Sequence, residues 1–591
     1  MFVVATAGHV DHGKSTLVRA LTGTEPDRLA EERRRGMTID LGYAWTTLPS
    51  GAHLAFVDVP GHERFATNML AGVGPVPAVL FVVAADEGWR TQSSEHLAAL
   101  DLLGVRHGVL AVTRADLADP GPAMAQARER LAASRVGEVE AVAVDSVHGT
   151  GLPELRAALD RLTARLPAPD RAADVRLWID RVFTIAGAGT VVTGTLPAGT
   201  LRVGDDMRLV PTGGRVQIRG IEVMKRGCDE IGGVARVAVN LRRIGRDAVR
   251  RGHALVTPDR WPAARVIDGR VSGGFAANEF PRELILHVGT AAVPVRVRPF
   301  DDDHVRLQLA LPLPLRIGDV ALLRDPGQKL LVARFLVLDV LPPQLGRRRG
   351  AADRAAELVH YRGVPDAAEE VGRRHLVRRT TLRAMGVTAL PEPTVADWVA
   401  DPQWWAQAGQ RLRAAVERHA DEHPADPGMP LETARQAIGL PARELVRALV
   451  APPLRQHAGK LYGSRVAPTL PEPLRDAVRH IHEDLGRDPF HAPDADRISA
   501  LGVDRGQLDV AAGAGQLLRV CEGIFLLPGA DREAVRRLAS LPQPFTASAA
   551  RVALGTTRRV LVPLLELLEH RGLTERVTAT EHRVRPGRES T

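Results

Sequence analysis

The chain has 591 residues and a formal net charge of +8, and its residues are 45% hydrophobic, 25% charged and 4% aromatic. This length exceeds what one hydrophobic core supports, so we expect several domains. The positive charge favours a polyanionic partner, whereas the few aromatic residues argue against base stacking as the main recognition mode. We expect no membrane-spanning segment, because no apolar run reaches the thickness of a bilayer. The cysteines Cys228 and Cys521 have no metal-ligand spacing and predict buried thiols in a cytoplasmic protein.

A phosphate-binding loop is predicted near the start of the sequence. Residues 8–15 read G-H-V-D-H-G-K-S and fit G-x-x-x-x-G-K-[ST], between an apolar strand and a helical pattern. In this context, backbone N–H groups and the helix dipole surround phosphate groups, so an accidental glycine turn is the weaker alternative. We expect Lys14 to reach the β- and γ-phosphates and the Ser15 hydroxyl to ligate Mg²⁺. The loop residues expected at the nucleotide are Asp11, His12, Gly13, Lys14, Ser15 and Thr16.

Two further segments are predicted to respond to the γ-phosphate. In the sequence R-G-M-T-I-D, Thr38 is expected to close over the γ-phosphate and give its hydroxyl to Mg²⁺. An apolar strand then leads into D-V-P-G-H, where Asp58 is expected to hold the Mg²⁺ shell. Gly61 can donate its N–H to the γ-phosphate, and His62 is the candidate for orienting the attacking water.

The next sequence motifs are predicted to bind the base of the nucleotide. A buried strand ends in T-R-A-D, in the place where guanine-binding GTPases carry N-K-x-D. The Asp116 carboxylate can accept from both N1–H and the exocyclic amine of guanine, a donor pair that adenine lacks. Thr113 and Arg114 depart from the usual Asn and Lys, so we expect a less rigidly held loop, while the Ser146 N–H is expected to meet guanine O6. These ordered signals predict an α/β P-loop domain over residues 1–170 that binds GTP and GDP.

The motifs G-H-V-D-H-G-K-S, G-M-T-I and D-V-P-G-H resemble those of the translational GTPases of the elongation factor Tu class. The resemblance implies that the domain hydrolyses GTP with Mg²⁺ bound. It also implies that His62 is the catalytic residue. In that class this histidine is screened by an apolar gate, and the matching residues here are Val10 and Met37.

Two small β-barrels are predicted behind this domain. After a proline-rich linker, short strands alternate with glycine turns, which is typical of a barrel over residues 174–260. A second set of the same kind predicts another barrel over residues 261–345. Two barrels behind a GTP-binding domain is the layout of tRNA-delivering GTPases, so the resemblance extends to about residue 345.

The first barrel carries a candidate aminoacyl pocket. Lone arginines in a barrel are usually solvated, but the whole chain resembles the selenocysteine-specific elongation factors. In that family an aspartate–arginine pair and a further arginine lie where the aminoacyl group docks, and they correspond to Asp180, Arg181 and Arg236. Two guanidiniums would favour an anionic selenolate over a neutral serine hydroxyl. Asp180 is expected either to hold the amino group or to fix Arg181.

The remaining sequence contains a fourfold repeat. The pattern Ala-x-Gly recurs at 384–386, 437–439, 500–502 and 553–555, and in two copies an amphipathic segment and a hairpin-like stretch follow. Helix, glycine turn, helix and hairpin form a winged helix-turn-helix. We therefore predict four tandem α+β winged helices over residues 351–423, 424–466, 470–530 and 535–591.

The last repeat is the predicted nucleic-acid reader. From Leu541 onward there are eight arginines, five glutamates and no aspartate. The resemblance implies that this winged helix binds a hairpin in selenoprotein mRNA, with the three earlier repeats as spacers. A protein–protein module with a solvated basic face is the alternative. The residues proposed to bind mRNA are Arg551, Arg558, Arg559, Arg576, Arg583 and Arg585.

Together these features predict a monomeric multidomain GTPase that carries selenocysteinyl-tRNA to the ribosome at UGA codons. Two alternatives stay open. One is a general elongation or initiation GTPase that carries any tRNA, which tandem winged helices disfavour. The other is a GTP-switched regulator whose winged helices read nucleic acid, which the barrels disfavour.

Overall fold

The computed structural model describes residues 1–26, 38–62, 65–74, 76–185, 187, 189–328, 330–345, 350–424, 426–463, 470–578 and 580–585. The chain divides into two compact units. The first comprises Met1–Pro393 with Asp397–Val399, and the second comprises Thr394–Ala396 with Ala400–Thr591. In the described part of the chain, no helix combines the length and the apolar character needed to cross a membrane.

The first domain is a six-stranded sheet with helices on both faces. Its strands are β1 Phe2–Ala7, β2 Gly42–Thr47, β3 His53–Asp58, β4 Ala78–Ala84, β5 Gly108–Thr113 and β6 Glu140–Ala143. They lie in the order β2-β3-β1-β4-β5-β6, all parallel except β2. Strands β1, β4 and β5 are buried on both faces, which explains their unbroken apolar sequences. The helices are α1 Lys14–Thr22, α2 Ala66–Val73, α3 Thr91–Leu103, α4 Pro120–Ala132 and α5 Leu152–Arg165.

A closed barrel follows, as predicted. Its strands are β7 Arg176–Ile185, β8 Gly189–Leu196, β9 Thr200–Arg202, β10 Asp206–Val210, β11 Arg215–Val223, β12 Arg226–Cys228, β13 Glu230–Gly232, β14 Ala235–Arg242 and β15 Ala254–Val256. The ring runs β10-β15-β7-β8-β14-β11 and closes through β10–β11 pairing, while β12 extends it and β9 pairs with β13. Alternate residues of β14 are buried, so this strand supplies one apolar row to the barrel interior.

The second predicted barrel is also closed. Its strands are β16 Ala263–Ser272, β17 Glu283–Val288, β18 Ala291–Pro299, β19 His304–Pro314, β20 Val320–Arg324 and β21 Leu331–Asp339, in the order β16-β19-β18-β17-β20-β21. Short 3-10 turns lie at Arg246–Ala248 and Ala277–Glu279. Both barrels and the GTP-binding domain therefore agree with the predicted fold class.

The first unit ends in a small helical segment that is fixed to the second barrel by buried charges. It contains α6 Ala351–Leu358, α7 Ala367–Arg374, β22 Leu376–Arg378 and α8 Arg379–Met385. The Arg354 guanidinium is 2% exposed and donates to Asp268 and Asp339, at 2.7 Å each. Strand β23, Trp398–Ala400, pairs with β22.

The second unit is built from helices and short hairpins. Its first elements are α9 Pro402–Glu422, β24 Met429–Pro430, α10 Leu431–Ala437, α11 Arg443–Leu449, β25 Arg455–His457 and β26 Lys460–Tyr462. Helix α9 packs against α10, α11 and β26. The predicted domain boundaries place α9 within residues 351–423 and its three partners within residues 424–466. The boundaries themselves stay predictions.

The last part of the chain contains two more helical repeats around one core. Its elements are α12 Glu472–Arg487, α13 Ala495–Ala500, α14 Arg505–Gly513, β27 Leu518–Cys521, β28 Ile524–Leu526, α15 Ala530–Ala539, β29 Phe545–Thr546, α16 Ala547–Leu554, α17 Arg558–His570, β30 Thr574–Arg576 and β31 Glu581–Val584. Apolar residues from Leu470 to Leu568 form a single buried cluster. The repeated glycines all have positive φ and follow helices α8, α10, α13 and α16, so the Ala-x-Gly pattern marks one recurring helix end.

One expectation about the cysteines is wrong. Cys228 and Cys521 are both partly exposed free thiols, not buried ones, because each lies at a strand end near the surface of its domain.

Candidate functional site

The P-loop closes around the Lys14 ammonium. Gly8 has φ of 130°, and a Cβ there would lie 2.1 Å from the Val82 carbonyl oxygen, so the loop leaves β1 against the neighbouring strand β4. Lys14 is 6% exposed. Its Nζ donates to the carbonyl oxygens of Gly8 and His9, at 3.1 and 2.6 Å. The lysine therefore points into the loop interior, where phosphate oxygens bind in P-loop proteins.

Three hydroxyl and carboxylate oxygens meet beside this lysine. The Ser15 hydroxyl donates to Asp58 Oδ2 at 2.7 Å and lies 2.9 Å from Thr38 Oγ1. The Thr6 hydroxyl donates to Asp58 Oδ1 at 2.7 Å and so fixes the carboxylate at the end of β3. These hard oxygen donors suit Mg²⁺, and they are the three residues that the sequence predicted for it. Of the predicted gate, Met37 lies outside the described residues, as do Arg35 and Gly36.

Gly61 approaches the P-loop closely. A Cβ at this position would lie 2.6 Å from both Lys14 Nζ and the Val10 nitrogen, so a side chain could not be accommodated without moving the loop. The His62 ring is partly exposed and contacts the Phe65 ring edge to face, with 6.2 Å between centroids. The backbone at Gly61 is thus adjacent to Lys14, and His62 is the next residue along the chain.

The base motif is tied to the P-loop through both of its unusual residues. Thr113 Oγ1 donates to the His12 carbonyl oxygen at 2.7 Å. Arg114 donates to the Asp11 carbonyl oxygen and, at 2.9 Å each, to Asp86 and Glu87. The expectation of a loosely held loop is therefore not supported, because each substituted residue bonds directly to the P-loop.

Asp116 is exposed at the mouth of this site, near the second base loop. Carboxylate and ring atoms of Asp116, Asp145 and His148 lie within 4.8 Å of one another. Asp145 Oδ1 accepts from the N–H groups of Val147 and His148, at 2.8 and 3.1 Å, which shapes the loop that presents Ser146. Burial would raise the pKa of Asp145, but these hydrogen bonds and the His148 ring outweigh it and lower the pKa.

Three residues that support the P-loop carried no signal in the sequence. On α3, Gln92 Oε1 accepts from the Val10 N–H at 3.0 Å, and His96 Nδ1 accepts from the Gly8 N–H at 3.1 Å. Burial lowers the pKa of His96 to about 3, and burial with the neighbouring His9 lowers the pKa of His12 to about 4. Both rings are therefore neutral near pH 7. Glu87, the third residue, lies 3.8 Å from His12 Nε2.

In the first barrel, Asp180 pairs with Arg236 and not with Arg181. Its Oδ1 accepts from Arg236 Nη2 and from the Thr193 hydroxyl, at 2.7 Å each, and its Oδ2 contacts Arg236 Nη1. Burial would lower the pKa of Arg236, but Asp180 outweighs it and raises the pKa, so this guanidinium stays charged. The expectation that Asp180 fixes Arg181 is wrong, since the Asp180 carboxylate is already occupied by Arg236 and Thr193.

Arg181 instead contacts the GTP-binding domain. Its guanidinium donates to the Leu41 carbonyl oxygen and lies 3.7 Å from Asp40. Arg181 and Arg236 both lie over the Tyr43 ring, 4.8 and 3.7 Å from its centroid. The two predicted pocket arginines are thus brought together at one aromatic ring. The cavity beside them measures about 220 Å³ and is also lined by residues of β2, β3 and the first barrel.

The six arginines predicted to bind mRNA differ in their environments. Arg551 and Arg558 are exposed, and their side chains form no ion pair or hydrogen bond with the residues that the structure describes. Arg559 donates to the Ala492 and Pro493 carbonyl oxygens, at 2.9 and 3.3 Å. The three wing arginines each pair with a glutamate: Arg576 with Glu569, Arg583 with Glu575 and Arg585 with Glu575.

Comparison with known proteins agrees with this architecture. The family model described as elongation factor Tu GTP binding domain matches residues 1–165, and the model for elongation factor Tu domain 2 matches residues 189–256. A model for the winged helix of elongation factor SelB matches residues 536–583. The fold and the P-loop site thus define a GTP-hydrolysing translation factor of the elongation factor Tu class.

Sequence similarity over the whole chain identifies a family within this class of translation factors. The chain is 30% identical to the selenocysteine-specific elongation factor of Escherichia coli strain K12, with 97% of each chain covered. It is 42% identical to that of Desulfomicrobium baculatum over a match spanning 55% of this chain and 53% of the other. Its fold is similar to the crystal structure of a bacterial selenocysteine-specific elongation factor, with a TM-score of 0.78, 22% identity and 99% of both chains covered. The chain belongs to the family of selenocysteine-specific elongation factors.

Proposed function

We propose that this GTPase delivers selenocysteinyl-tRNA to the ribosome at UGA codons, as a cytoplasmic monomer recruited by a hairpin in the mRNA. The first barrel supplies amino acid recognition, and the last winged helix supplies recruitment. Holding two RNAs on one chain raises their effective concentration at one codon without any new contact between them.

The proposed nucleotide chemistry rests on the cluster around Lys14. Bound Mg²⁺ would neutralise charge on the β- and γ-phosphates, with Ser15, Thr38 and Asp58 as the residues that hold it. Lys14 would bind the phosphate oxygens, and the Gly61 N–H would donate to the γ-phosphate. His62 would orient the attacking water, while Asp116 and the Ser146 N–H would read guanine.

One observation carries the amino acid specificity: Arg181 and Arg236 both lie against the Tyr43 ring, beside a cavity. Asp180 pairs with Arg236, and Asp40 is shared between Arg181 and Arg251, so these three arginines and two aspartates keep one net positive charge. A selenol ionises near neutral pH, whereas a serine hydroxyl does not, so the remaining charge favours selenolate. The general tRNA carrier, by contrast, would need no charged pocket for the side chain.

A binding experiment with matched ligands tests the proposal. GTP-loaded protein is offered selenocysteinyl-tRNA, seryl-tRNA on the same tRNA body, a UGA-proximal mRNA hairpin and duplex DNA in a filter assay. We expect tight binding of the first and third ligands only. Equal affinity for the two charged tRNAs would indicate a general carrier, and preference for duplex DNA would indicate a regulator.

A further inference from the structure

The turn between α16 and α17 in the last winged helix is bonded to the repeat that precedes it. Its residues Gly555 and Thr557 are exposed, whereas Thr556 between them is only 5% exposed. The Thr556 hydroxyl donates a buried hydrogen bond to the Phe490 carbonyl oxygen at 2.6 Å. Phe490 lies in the 488–494 loop, which connects α12 to α13 in the preceding repeat. The preceding repeat therefore contacts the helix-turn-helix of the last one directly.

Two further contacts hold this loop against the last winged helix. Arg559 donates to the Ala492 and Pro493 carbonyl oxygens, at 2.9 and 3.3 Å. The Arg537 guanidinium lies over the Phe490 ring, 5.2 Å from its centroid. The Phe490 side chain is 1% exposed and belongs to the same apolar cluster as the helices of the last winged helix. Because the loop is packed into this core, its carbonyl oxygens are acceptors in fixed positions.

Thr556 also connects this loop to the two exposed arginines that are proposed to bind mRNA. Its N–H donates to the Arg551 carbonyl oxygen at 3.1 Å, near the end of α16. Arg558 follows two residues later and begins α17. A threonine that is bonded through both its hydroxyl and its N–H thus fixes the turn that separates Arg551 from Arg558.

We propose that Thr556 is a positioning residue for RNA recognition: through it, the 488–494 loop holds the turn so that Arg551 and Arg558 meet the mRNA hairpin at a fixed spacing. This inference rests on the proposed function, since it deepens the recruitment role of the last winged helix. Charge alone attracts any RNA, whereas two guanidiniums at a fixed spacing favour the phosphate positions of one folded shape. The preceding repeat is then part of the RNA-reading surface's support, and not only a spacer.

The alternative is that the Thr556 bond joins the two repeats without any effect on RNA binding. Thr546 allows the two roles to be separated, because its hydroxyl caps the other end of α16 by accepting from the Ala549 N–H at 3.2 Å. Loss of this cap should destabilise the same winged helix without releasing the turn from the 488–494 loop. A purely structural role predicts the same outcome for both threonines, whereas a positioning role applies to Thr556 alone.

The test compares two dissociation constants of the full-length protein. One is for the UGA-proximal mRNA hairpin, and the other is for a single strand of the same length and scrambled sequence. Both are measured at a temperature at which circular dichroism shows every variant to be folded. We expect Thr556→Val to weaken hairpin binding by about tenfold and to leave single-strand binding unchanged, because the arginines remain while their spacing is no longer fixed.

Two further variants complete the comparison. Thr556→Ser keeps the hydroxyl and should bind both RNAs as the wild type does. The matched control Thr546→Val should lower the melting temperature and leave the affinity for both RNAs unchanged. If Thr556→Val does not fold, Thr556→Ala decides the question, because it removes the same hydroxyl without placing a methyl group against the Phe490 carbonyl oxygen.

The contrary outcomes are distinct. The positioning role would be overturned, with the proposed function intact, if Thr556→Val left hairpin binding unchanged or weakened the binding of both RNAs equally. The same selective loss in Thr546→Val would also overturn it. Wild-type protein that binds the hairpin and the scrambled strand equally would overturn the proposed recruitment by mRNA and this inference with it.

Discussion

Thr113 Oγ1 donates a 2.7 Å hydrogen bond to the carbonyl oxygen of His12, and this bond joins strand β5 to the P-loop. Thr113 is 2% exposed and His12 is fully buried, so water cannot replace the donor. A threonine can therefore serve at the position where asparagine is expected, because its hydroxyl supplies a buried donor to the P-loop, and Arg114 adds a second bond through the Asp11 carbonyl oxygen.

We expect Thr113→Val to weaken nucleotide binding without preventing folding. The valine keeps the shape but leaves the His12 carbonyl unsatisfied, which costs roughly 1–2 kcal/mol, or about 5- to 30-fold in affinity. Dissociation of a fluorescent GDP measured by stopped flow checks this. Thr212→Val is the control, since Thr212 is an exposed residue whose hydroxyl makes a longer, part-buried hydrogen bond, at 3.3 Å, to the Leu209 carbonyl oxygen in the first barrel. Equal effects of the two variants would refute the special role of Thr113.

Arg114 should depend on its fork geometry and not only on its charge. It reaches the Asp11 carbonyl and two carboxylates at once, which a lysine ammonium cannot do in the same plane. We expect Arg114→Lys to accelerate GDP release about threefold, corresponding to about 0.7 kcal/mol at this partly exposed site. At low salt, GDP should dissociate faster from the Arg114→Lys variant than from the wild-type protein. Unchanged release would mean that Arg114 contributes charge alone.

The sequence motifs predict the nucleotide-site residues well, because these residues lie in short motifs that begin or end helices and strands. The motifs around Ser15, Thr38 and Asp58 each predict a residue that holds Mg²⁺, and the structure brings the three side chains together. The strand alternation also located both barrels. The sequence could not predict that Arg181 would contact Leu41, since that contact joins residues 140 positions apart in two domains. The support from His96 was missed for the same reason: a histidine within a helix has no pattern that reveals a backbone partner across the fold.

Acid should destabilise the GTP-binding domain through two buried histidines. The pKa values of His12 and His96 are lowered to about 4 and about 3, so the unfolded chain binds more protons than the folded one below pH 6.5. The stability that these two histidines contribute is therefore complete above the unfolded pKa and is lost as the pH falls from about 6.5 toward 3. Hydrogen exchange of peptides from residues 1–26, corrected for intrinsic rates, should show this loss. His96→Gln keeps an acceptor for Gly8 and should reduce the pH dependence; an identical pH profile would contradict the assignment.

The buried arginine between the second barrel and α6 should be essential for stability. Arg354 donates to two carboxylates, Asp268 and Asp339, that are themselves fully buried. Arg354→Met removes one positive charge from a paired set, which we expect to destabilise the first unit by about 3 kcal/mol. Urea unfolding measures this loss. The control Arg536→Met breaks an exposed pair with Glu533 and should change stability by less than about 0.5 kcal/mol.

Two neighbouring arginines of the last winged helix, Arg558 and Arg559, should differ in their contribution to RNA binding. Arg558 is exposed, and its side chain forms no ion pair or hydrogen bond with the residues that the structure describes, whereas Arg559 next to it donates to the Ala492 carbonyl oxygen. We expect Arg558→Ala to weaken mRNA hairpin binding and to lower the slope of log affinity against log salt by about 1, as one lost phosphate contact does. Arg559→Ala should leave the slope unchanged and reduce thermal stability instead, because its guanidinium is already bonded within the protein. If both variants lower the slope equally, the contact to Ala492 does not withhold Arg559 from RNA; if neither does, the hairpin binds elsewhere on the chain.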